Sequence, residues 1–271
     1  MRPQTARLYQ SMRKRRSFFL MAGPCVIEDT QGCMVIARHL SKCCQRLNIP
    51  FIFKASFDKA NRTSANSFRG PGLEEGLRTL IHVREKVGCH VMTDVHTEDQ
   101  AKEASAYLDI LQIPAFLCRQ TDLLMAAASG KAMVNIKKGQ FLSAGDMEHV
   151  VAKLRAVGKQ RIILTERGTT FGYHNLVVDM RSIPIMQALE LPVVFDATHS
   201  VQLPGGKGDR SDGQAVFAPT LAKAALAAGA DGLFIETHPN PEASPSDGPN
   251  MIALKDMNKL LKECLRLCRA L

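Results

Sequence analysis

The sequence contains no tryptophan, only three tyrosines and no long uninterrupted apolar run. The missing apolar run excludes an integral membrane protein of the helical kind, because a spanning helix needs roughly 18 consecutive apolar residues. The scarcity of rings that could stack on bases weighs against a nucleic-acid-binding protein. The remaining composition, 45% hydrophobic and 23% charged over 271 residues, excludes disorder, collagen-like repeats and a coiled coil. It predicts one globular domain over residues 1–271.

Acidic residues are absent from the first sixteen positions, which predicts a solvated, basic N-terminal tail over residues 1–16. The net charge is +9, and six of the 35 basic residues but none of the 26 acidic ones lie in this tail. The other 255 residues therefore carry only +3, a mildly basic balance that suits anionic small substrates. The six basic residues are Arg2, Arg7, Arg13, Lys14, Arg15 and Arg16.

The eight cysteines form no Cys-x-x-Cys motif and lie mostly in apolar surroundings. In a chain of this length, this pattern favours reduced thiols in a cytoplasmic enzyme over a disulfide framework. Residues 12–27 resemble a secretory signal, since a basic stretch precedes an apolar one. The apolar run is short, however, Pro24 interrupts any cleavage site, and the acidic residues Glu28 and Asp29 follow at once. The run at 18–22 is therefore predicted to be a buried first strand.

Short apolar, β-prone runs alternate with segments of helical spacing along the whole chain. The runs lie at 18–22, 51–55, 90–95, 110–113, 133–136, 162–165, 193–195 and 233–235, and the clearest helical segments at 36–47, 73–87, 147–157, 218–228 and 251–271. This alternation predicts parallel strands buried on both faces. Eight such units predict an α/β fold, a single-domain (β/α)₈ TIM barrel. An open doubly wound sheet is the alternative, but its Gly-rich first turn is replaced here by Gly23-Pro24-Cys25.

The active site of such a barrel forms from the loops that follow the strands. Cationic side chains occupy these positions after three different runs, and together they predict a strong anion site. So many cations indicate two anionic substrates rather than one, since Arg forks and Lys point charges both suit phosphate and carboxylate. They are Lys54, Lys59, Arg62, Lys137 and Arg167.

A thiol, an imidazole and two carboxylates follow the first, seventh and eighth runs: Cys25, His199, Glu236 and Asp247. These runs are neighbours around a closed barrel, so the four side chains could meet. Their chemistry suits a borderline divalent ion such as Zn²⁺, Fe²⁺ or Mn²⁺. The alternative is a small buried cysteine with His199 and Glu236 held in hydrogen bonds.

Several segments at these positions resemble the family of 3-deoxy-D-manno-octulosonate 8-phosphate (KDO 8-phosphate) synthases. The resemblance extends from about residue 22 to residue 251. The KANR stretch at 59–62 distinguishes it from the related DAHP synthases, which carry KPRT there. The segments are KASFDKANRTS at 54–64, RGPGL at 69–73, LQIPAFLCRQT at 111–121, NIKKGQF at 135–141, ERGTTFGY at 166–173 and DATHSVQLPGG at 196–206.

The resemblance implies a TIM barrel, usually a homotetramer, that condenses phosphoenolpyruvate with D-arabinose 5-phosphate and water. The products are KDO 8-phosphate, used for lipopolysaccharide, and inorganic phosphate. A cysteine at position 25, where members of the metal-free class have asparagine, implies the metal-dependent class, with Zn²⁺, Fe²⁺ or Mn²⁺ left open. In that class the metal ligands correspond to Cys25, His199, Glu236 and Asp247.

The resemblance also implies the substrate contacts. Phosphoenolpyruvate would be held by Lys54, Lys59, Gln112, Lys137 and Arg167. Arabinose 5-phosphate would be held by Asn61, Arg62 and Ser64, with Asp94 near its hydroxyls and Arg119 reaching the sugar phosphate of a neighbouring subunit.

The expected catalytic set is Cys25, His199, Asp247 and Lys137, and His199 is expected to act as a ligand rather than as a base. Asp247 or Glu236 would then move a proton from water. Three other functions are weaker alternatives: a DAHP synthase that uses erythrose 4-phosphate, a Schiff-base aldolase that uses Lys54 or Lys137, and a non-catalytic sugar-phosphate-binding barrel.

Overall fold

Eight parallel strands form a closed barrel in the computed structural model of the chain, which describes residues 3–13, 16–60, 67–204 and 212–271. Each of the eight predicted strands is confirmed. They are β1 (Phe19–Gly23), β2 (Phe51–Lys54), β3 (His90–Asp94), β4 (Ile110–Ile113), β5 (Met133–Lys137), β6 (Ile162–Glu166), β7 (Val193–Asp196) and β8 (Gly232–His238).

The barrel closes between its first and last strands. The strands are hydrogen-bonded in chain order from β1 to β8, and β1 also pairs with β8 over five residues, from Phe19↔Gly232 to Gly23↔Glu236. Because both edges of the sheet are used in this pairing, the fold is the predicted (β/α)₈ barrel and not an open doubly wound sheet. The loops after β1, β7 and β8 are consequently neighbours.

Helices surround the barrel, and the five predicted helical segments are found. The helices are α1 (Pro3–Ser11), α2 (Thr30–Leu47), α3 (Leu73–Val87), α4 (Glu98–Tyr107), α5 (Thr121–Ser129), α6 (Met147–Ala156), α7 (Ser182–Gln187), α8 (Ala218–Ala227) and α9 (Met257–Ala270). Helix α2 begins six residues before its predicted start, because Asp29 caps it by accepting a hydrogen bond from Gly32 N at 2.7 Å. Helix α9 begins six residues later than predicted, since Ile252–Ala253 pairs with β8 instead. None of the helices described is both long and apolar enough to cross a membrane.

The N-terminal segment differs from the predicted solvated tail. Its described part contains α1, and the side chains of Leu8 in this helix and Met12 directly after it are buried among the apolar residues inside the barrel. Thr5 Oγ1 donates a hydrogen bond to Asp109 at 2.8 Å, and Tyr9 Oη donates one to the carbonyl of Ile162 at 3.0 Å. Leu8 and Met12 are four residues apart, so in a helical conformation they lie on the same face. Burial of this apolar face, rather than the charge of the surrounding basic residues, determines the structure of the segment.

Side chains alternate along each strand between the barrel interior and the layer that packs on the helices. Inside, an apolar layer is followed two residues later by a polar one, nearer the carboxyl ends of the strands. The apolar layer includes Met21, Ile52, Met92, Ile110, Met133, Ile163, Val194 and Phe234. Gly23 follows Met21, and the other positions form what we call the polar layer: Lys54, Asp94, Gln112, Asn135, Thr165, Asp196 and Glu236. All seven polar side chains are buried.

Candidate active site

Two lysines and two carboxylates form the most charged part of the site. Lys54 Nζ lies 3.5 Å from both Asp94 Oδ2 and Glu236 Oε1. Lys59 Nζ lies 4.0 and 3.8 Å from the same two oxygens. Burial alone would raise the pKa of Asp94, but the ammonium groups of Lys54 and Lys59 hold it well below its ordinary value. The cluster therefore contains two buried ammonium groups whose positions are fixed by carboxylates.

Hydrogen bonds between side chains connect four neighbouring strands across the polar layer. Gln112 Nε2 donates to Asp94, and Gln112 Oε1 accepts from Asn135 Nδ2 at 2.9 Å. Asn135 Oδ1 in turn accepts from Thr165 Oγ1 at 2.7 Å. Because an amide nitrogen carries two hydrogens, these bonds fix the orientation of Gln112 and leave one of its N–H groups for another acceptor.

Lys137 and His199 share one buried carboxylate. Lys137 Nζ lies 2.6 Å from Asp196 Oδ2, and His199 Nδ1 lies 2.8 Å from the same oxygen. The Lys137 ammonium also lies 3.9 Å from the centroid of the Phe234 ring, a cation–π distance. Burial lowers the pKa of Lys137, and the charge of Asp196 opposes that effect. Asp196 therefore orients a lysine and a histidine towards the same space.

Gln202 connects the cationic and acidic parts of the site. Its Oε1 accepts a hydrogen bond from Arg167 Nη2 at 2.8 Å, and its Nε2 donates one to Asp247 Oδ1 at 3.1 Å. Arg167 Nη1 is buried and has no hydrogen-bond partner among the residues that the structure describes. A buried guanidinium nitrogen in this state is a donor suited to an anion.

Cys25 lies two residues after the end of β1, and β1 packs tightly against β2 at that end. A Cβ at Gly23 would lie 2.1 Å from the carbonyl oxygen of Lys54, so only glycine fits two residues before Cys25. Cys25 Sγ lies 2.8 Å from Ser246 Oγ, and the thiol donates to Asp247 Oδ2 at 3.1 Å. Burial and the nearby Glu236 carboxylate raise the pKa of the Cys25 thiol well above its ordinary value.

The ligand atoms of Cys25, Glu236 and Asp247 all lie within 4.8 Å of one another. Glu236 Oε2 is buried and accepts no hydrogen bond from the described residues. A thiolate with carboxylates is a donor set for Zn²⁺, Fe²⁺ or Mn²⁺, so these residues fit a divalent ion. His199 lies outside this group of three, although its Nε2 is 3.6 Å from Glu236 Oε2. Its place as a fourth ligand stays a prediction.

The family model described as the DAHP synthetase I family matches residues 12–268. The chain belongs to this family. A relative from Cyanothece sp. named 2-dehydro-3-deoxyphosphooctonate aldolase is 57% identical over 254 residues, 94% of this chain and 93% of the relative. Relatives of the same name from Synechococcus sp. and Pelobacter propionicus are each 57% identical, over 93% and 91% of this chain and 88% and 91% of their own lengths. Within the family, the chain thus groups with the KDO 8-phosphate synthases, as its motifs predict.

Three of the family positions predicted to bind arabinose 5-phosphate, Asn61, Arg62 and Ser64, lie outside the described residues. Asp94 lies inside the polar layer beside Lys54 and Lys59. Arg119 follows β4 with an exposed side chain, and its carbonyl accepts a hydrogen bond from Lys153 Nζ at 3.2 Å. Its predicted reach into another subunit stays a prediction.

Sequence reasoning did not assign Asp196, Gln202, Ser246 or Asn135 to the site of this family member. Asp196 and Gln202 lie within a motif that carries the family resemblance, next to the predicted ligand His199. Asn135 stands two residues before Lys137 on β5, and the strand period of two was the signal that could have identified it. Ser246 gives no signal beyond its position beside Asp247.

Proposed function

We propose that this chain condenses phosphoenolpyruvate with D-arabinose 5-phosphate and water, giving KDO 8-phosphate and inorganic phosphate. One observation supports it above the others: the buried cations Lys54, Lys59, Lys137 and Arg167 lie at the same end of the barrel as Cys25, Glu236 and Asp247. Two anionic substrates need many fixed cations, and the relatives, which share the name of one such synthase, cover over nine-tenths of this chain.

In the proposed reaction, carbon 3 of phosphoenolpyruvate attacks the sugar aldehyde, whose oxygen takes up a proton, while water adds to carbon 2. The bond between carbon 2 and the phosphate oxygen then breaks, and inorganic phosphate leaves. Lys54, Lys59, Lys137 and Arg167 hold the phosphate and carboxylate of phosphoenolpyruvate, and Gln112 donates its remaining N–H. Their positions are set in advance by buried carboxylates and amides, so the alignment of the substrates costs little reorganisation. Positive charge grows at carbon 2 and negative charge grows on the aldehyde oxygen.

Cys25, Glu236 and Asp247, with His199 as the proposed fourth ligand, would hold a divalent ion. Such an ion supplies Lewis acidity for the aldehyde or lowers the pKa of the attacking water. Asp247 or Glu236 would accept the proton from water at a carboxylate oxygen. Asp196 would keep His199 in the orientation that points its Nε2 towards Glu236.

The proposed condensation proceeds without a Schiff base. Lys54 Nζ donates to Ser56 Oγ at 2.8 Å and lies within 3.5 Å of two carboxylates, an arrangement that favours an ammonium group over a nucleophilic amine. Treatment with borohydride in the presence of both substrates should add no mass to any lysine.

The proposed assembly is a homotetramer in the cytoplasm, where phosphoenolpyruvate is an intermediate of central metabolism. Arg119 would then complete the sugar-phosphate site of a neighbouring subunit. Its exposed side chain, on a loop that follows β4, supports this role. Arg119→Ala should raise the KM for arabinose 5-phosphate and leave the KM for phosphoenolpyruvate unchanged.

Phosphate release from phosphoenolpyruvate tests the proposed function directly. The assay compares D-arabinose 5-phosphate with erythrose 4-phosphate, in protein depleted of metal and in protein reloaded with Mn²⁺ or Zn²⁺. Release with the five-carbon sugar alone is expected. Preference for the four-carbon sugar would make the chain a DAHP synthase, and saturable binding without release would make it a binding protein.

A further inference from the structure

Lys138 and Glu166 form a buried ion pair that lies beside the site rather than within it. Lys138 Nζ lies 3.4 Å from Glu166 Oε1, and the two side chains are 1% and 2% exposed. Each residue is next in the chain to a proposed phosphoenolpyruvate ligand, since Lys138 follows Lys137 and Glu166 precedes Arg167. The pair therefore joins the ends of β5 and β6 at the level from which the side chains of Lys137 and Arg167 extend into the site.

Lys138 uses its ammonium group to hold two loops together. Its Nζ donates to the carbonyls of Gly139 at 3.3 Å and Leu142 at 3.1 Å, in the loop that follows β5. It also donates to the carbonyl of Gly168 at 3.2 Å and to Thr169 Oγ1 at 3.1 Å, in the loop that follows β6. All of these acceptors belong to the protein and the group is buried, so Lys138 is not a substrate ligand.

Glu166 holds the backbone of the segment that carries Arg167. Its Oε1 accepts hydrogen bonds from the backbone N–H groups of Arg167 at 2.9 Å and Gly168 at 2.6 Å. Gly168 has a φ of +88°, in the left-handed region that favours glycine, which allows the chain to turn back onto the carboxylate. The direction in which the Arg167 side chain leaves β6 is thus set by this turn.

The Lys138–Glu166 ion pair connects Lys137 to Arg167 by a short path, because each partner is the chain neighbour of one of these two cations. Lys137 ends β5 inside the barrel, and the next residue, Lys138, necessarily points to the opposite side of the strand. Lys138 N also donates to the carbonyl of Thr165 at 2.8 Å, one residue before Glu166. A change in the separation of the loops at this level would move Lys137 relative to Arg167.

We propose that Lys138 and Glu166 are positioning residues that set the spacing of Lys137 and Arg167 and thereby the affinity for phosphoenolpyruvate. This inference rests on the proposed function only for the identity of the anion. It assigns the pair no contact with substrate. Because an unpaired charge in a buried site is costly, loss of either partner forces the loops to rearrange and admit water. The spacing of Lys137 and Arg167 then changes, whereas the chemistry at the sugar is not directly affected.

The test measures KM for each substrate and kcat in the full-length variants Lys138→Met and Glu166→Gln, with calorimetric titration of phosphoenolpyruvate. Both variants are expected to raise the KM and the Kd for phosphoenolpyruvate about tenfold or more. The KM for arabinose 5-phosphate is expected to stay within about twofold. Lys138→Arg, which keeps the charge, should recover most of the affinity.

Lys159→Met is the matched control for a general loss of stability. Lys159 is also buried, and its Nζ donates to the carbonyls of Gly130 and Ala132 near the amino ends of the strands, away from the site. This variant should lower the melting temperature without changing either KM. If Lys138→Met and Glu166→Gln behave like this control, the pair is only structural and the inference is wrong.

Failure of the proposed function gives a different pattern. In that case the wild-type protein releases no phosphate with D-arabinose 5-phosphate, while calorimetry still compares phosphoenolpyruvate binding in wild type and variants. Unchanged binding in the variants, or none in the wild type, overturns the positioning role. If Lys138→Met does not fold, the comparison of Glu166→Gln with Lys138→Arg decides the question through the same selective change in the Kd for phosphoenolpyruvate.

Discussion

The ammonium nitrogen of Lys137 lies 2.6 Å from Oδ2 of Asp196, at the end of β7. The same carboxylate accepts a hydrogen bond from the backbone N–H of His199 at 2.9 Å. Burial alone would raise the pKa of Asp196, but His199 and Lys137 hold it well below its ordinary value. The carboxylate of Asp196 therefore stays charged well below the pH at which an aspartate ordinarily titrates, and both neighbours contact that charge.

Asp196→Asn should reduce kcat/KM by roughly a hundredfold or more. Removal of the charge leaves Lys137 as a buried cation without its partner, at a cost of about 3 kcal/mol. Steady-state phosphate release checks the effect. Asp179→Asn is the matched control, because Asp179 is exposed and pairs with exposed Arg181, and solvent screens such a surface pair strongly. Equal activity in both variants would contradict the role given to Asp196.

Removal of the divalent ion should abolish turnover. Dialysis against EDTA or dipicolinate is expected to stop phosphate release, and added Mn²⁺ or Zn²⁺ should restore it. Cys25→Ala should lower the bound metal, measured by elemental analysis, at least tenfold, since it removes the thiolate donor. Cys33→Ala, which changes a buried cysteine on α2, should keep the metal. Full activity in protein verified to be metal-free would refute the proposed metal dependence.

The free energy of unfolding should rise between about pH 8 and pH 10.5 through Lys159. Burial lowers the pKa of Lys159 from 10.5 to about 8. In this interval the unfolded chain binds more protons at this lysine than the folded chain, so stability increases with pH. Allowing for solvent screening, the gain is about 1–2 kcal/mol.

Urea unfolding at pH 7.5 and pH 10 measures this effect as a difference between proteins. Other groups titrate in the same interval, so the wild type is compared with Lys159→Met, which should lack part of the rise. Lys102→Met, a change to an exposed lysine paired with Asp99, should keep all of it. The same pH dependence in all three proteins would contradict the assignment to Lys159.

Truncation of the buried apolar side chains of the N-terminal segment, Leu8 in α1 and Met12 directly after it, should destabilise the barrel without altering its chemistry. Leu8→Ala and Met12→Ala each leave a cavity at the interior cluster and should lower the free energy of unfolding by about 2–4 kcal/mol. Arg7→Ala, an exposed change on the same helix, should cost less than about 0.5 kcal/mol. Chemical denaturation measures these values, and a change in either KM of Leu8→Ala would argue against a purely structural helix.

The fold could be predicted because each strand carries a local signal. The runs that became β1 to β8 are short, apolar and followed by polar clusters, and their number left few topologies. Helix α1 was missed because a dense group of positive charges obscured the spacing of Leu8 and Met12. The starts of α2 and α9 were displaced because a side-chain cap at Asp29 and a strand pairing at Ile252–Ala253 overrode helical spacing.

The site was only partly predictable, because the residue types indicate which side chains are charged but not which side chains contact one another. The position of Lys54, Lys137 and Arg167 at the carboxyl ends of the strands could be predicted from the sequence, whereas their role in binding anions stays a prediction. That Asp196 serves two of the predicted residues, or that Gln202 joins Arg167 to Asp247, depends on distances that no local pattern encodes. Asp247 itself has a φ of +51°, in the left-handed region that aspartate adopts more readily than most residues, but no sequence pattern predicted it at this position.

The pairing of β1 with β8 brings Cys25 to Asp247 across 222 positions of the chain. During synthesis the thiol of Cys25 is therefore made 222 residues before the carboxylate of Asp247. A growing polypeptide cannot assemble the proposed ligand set until Asp247 has been translated, so capture of the proposed divalent ion would have to wait until all eight barrel strands have been made.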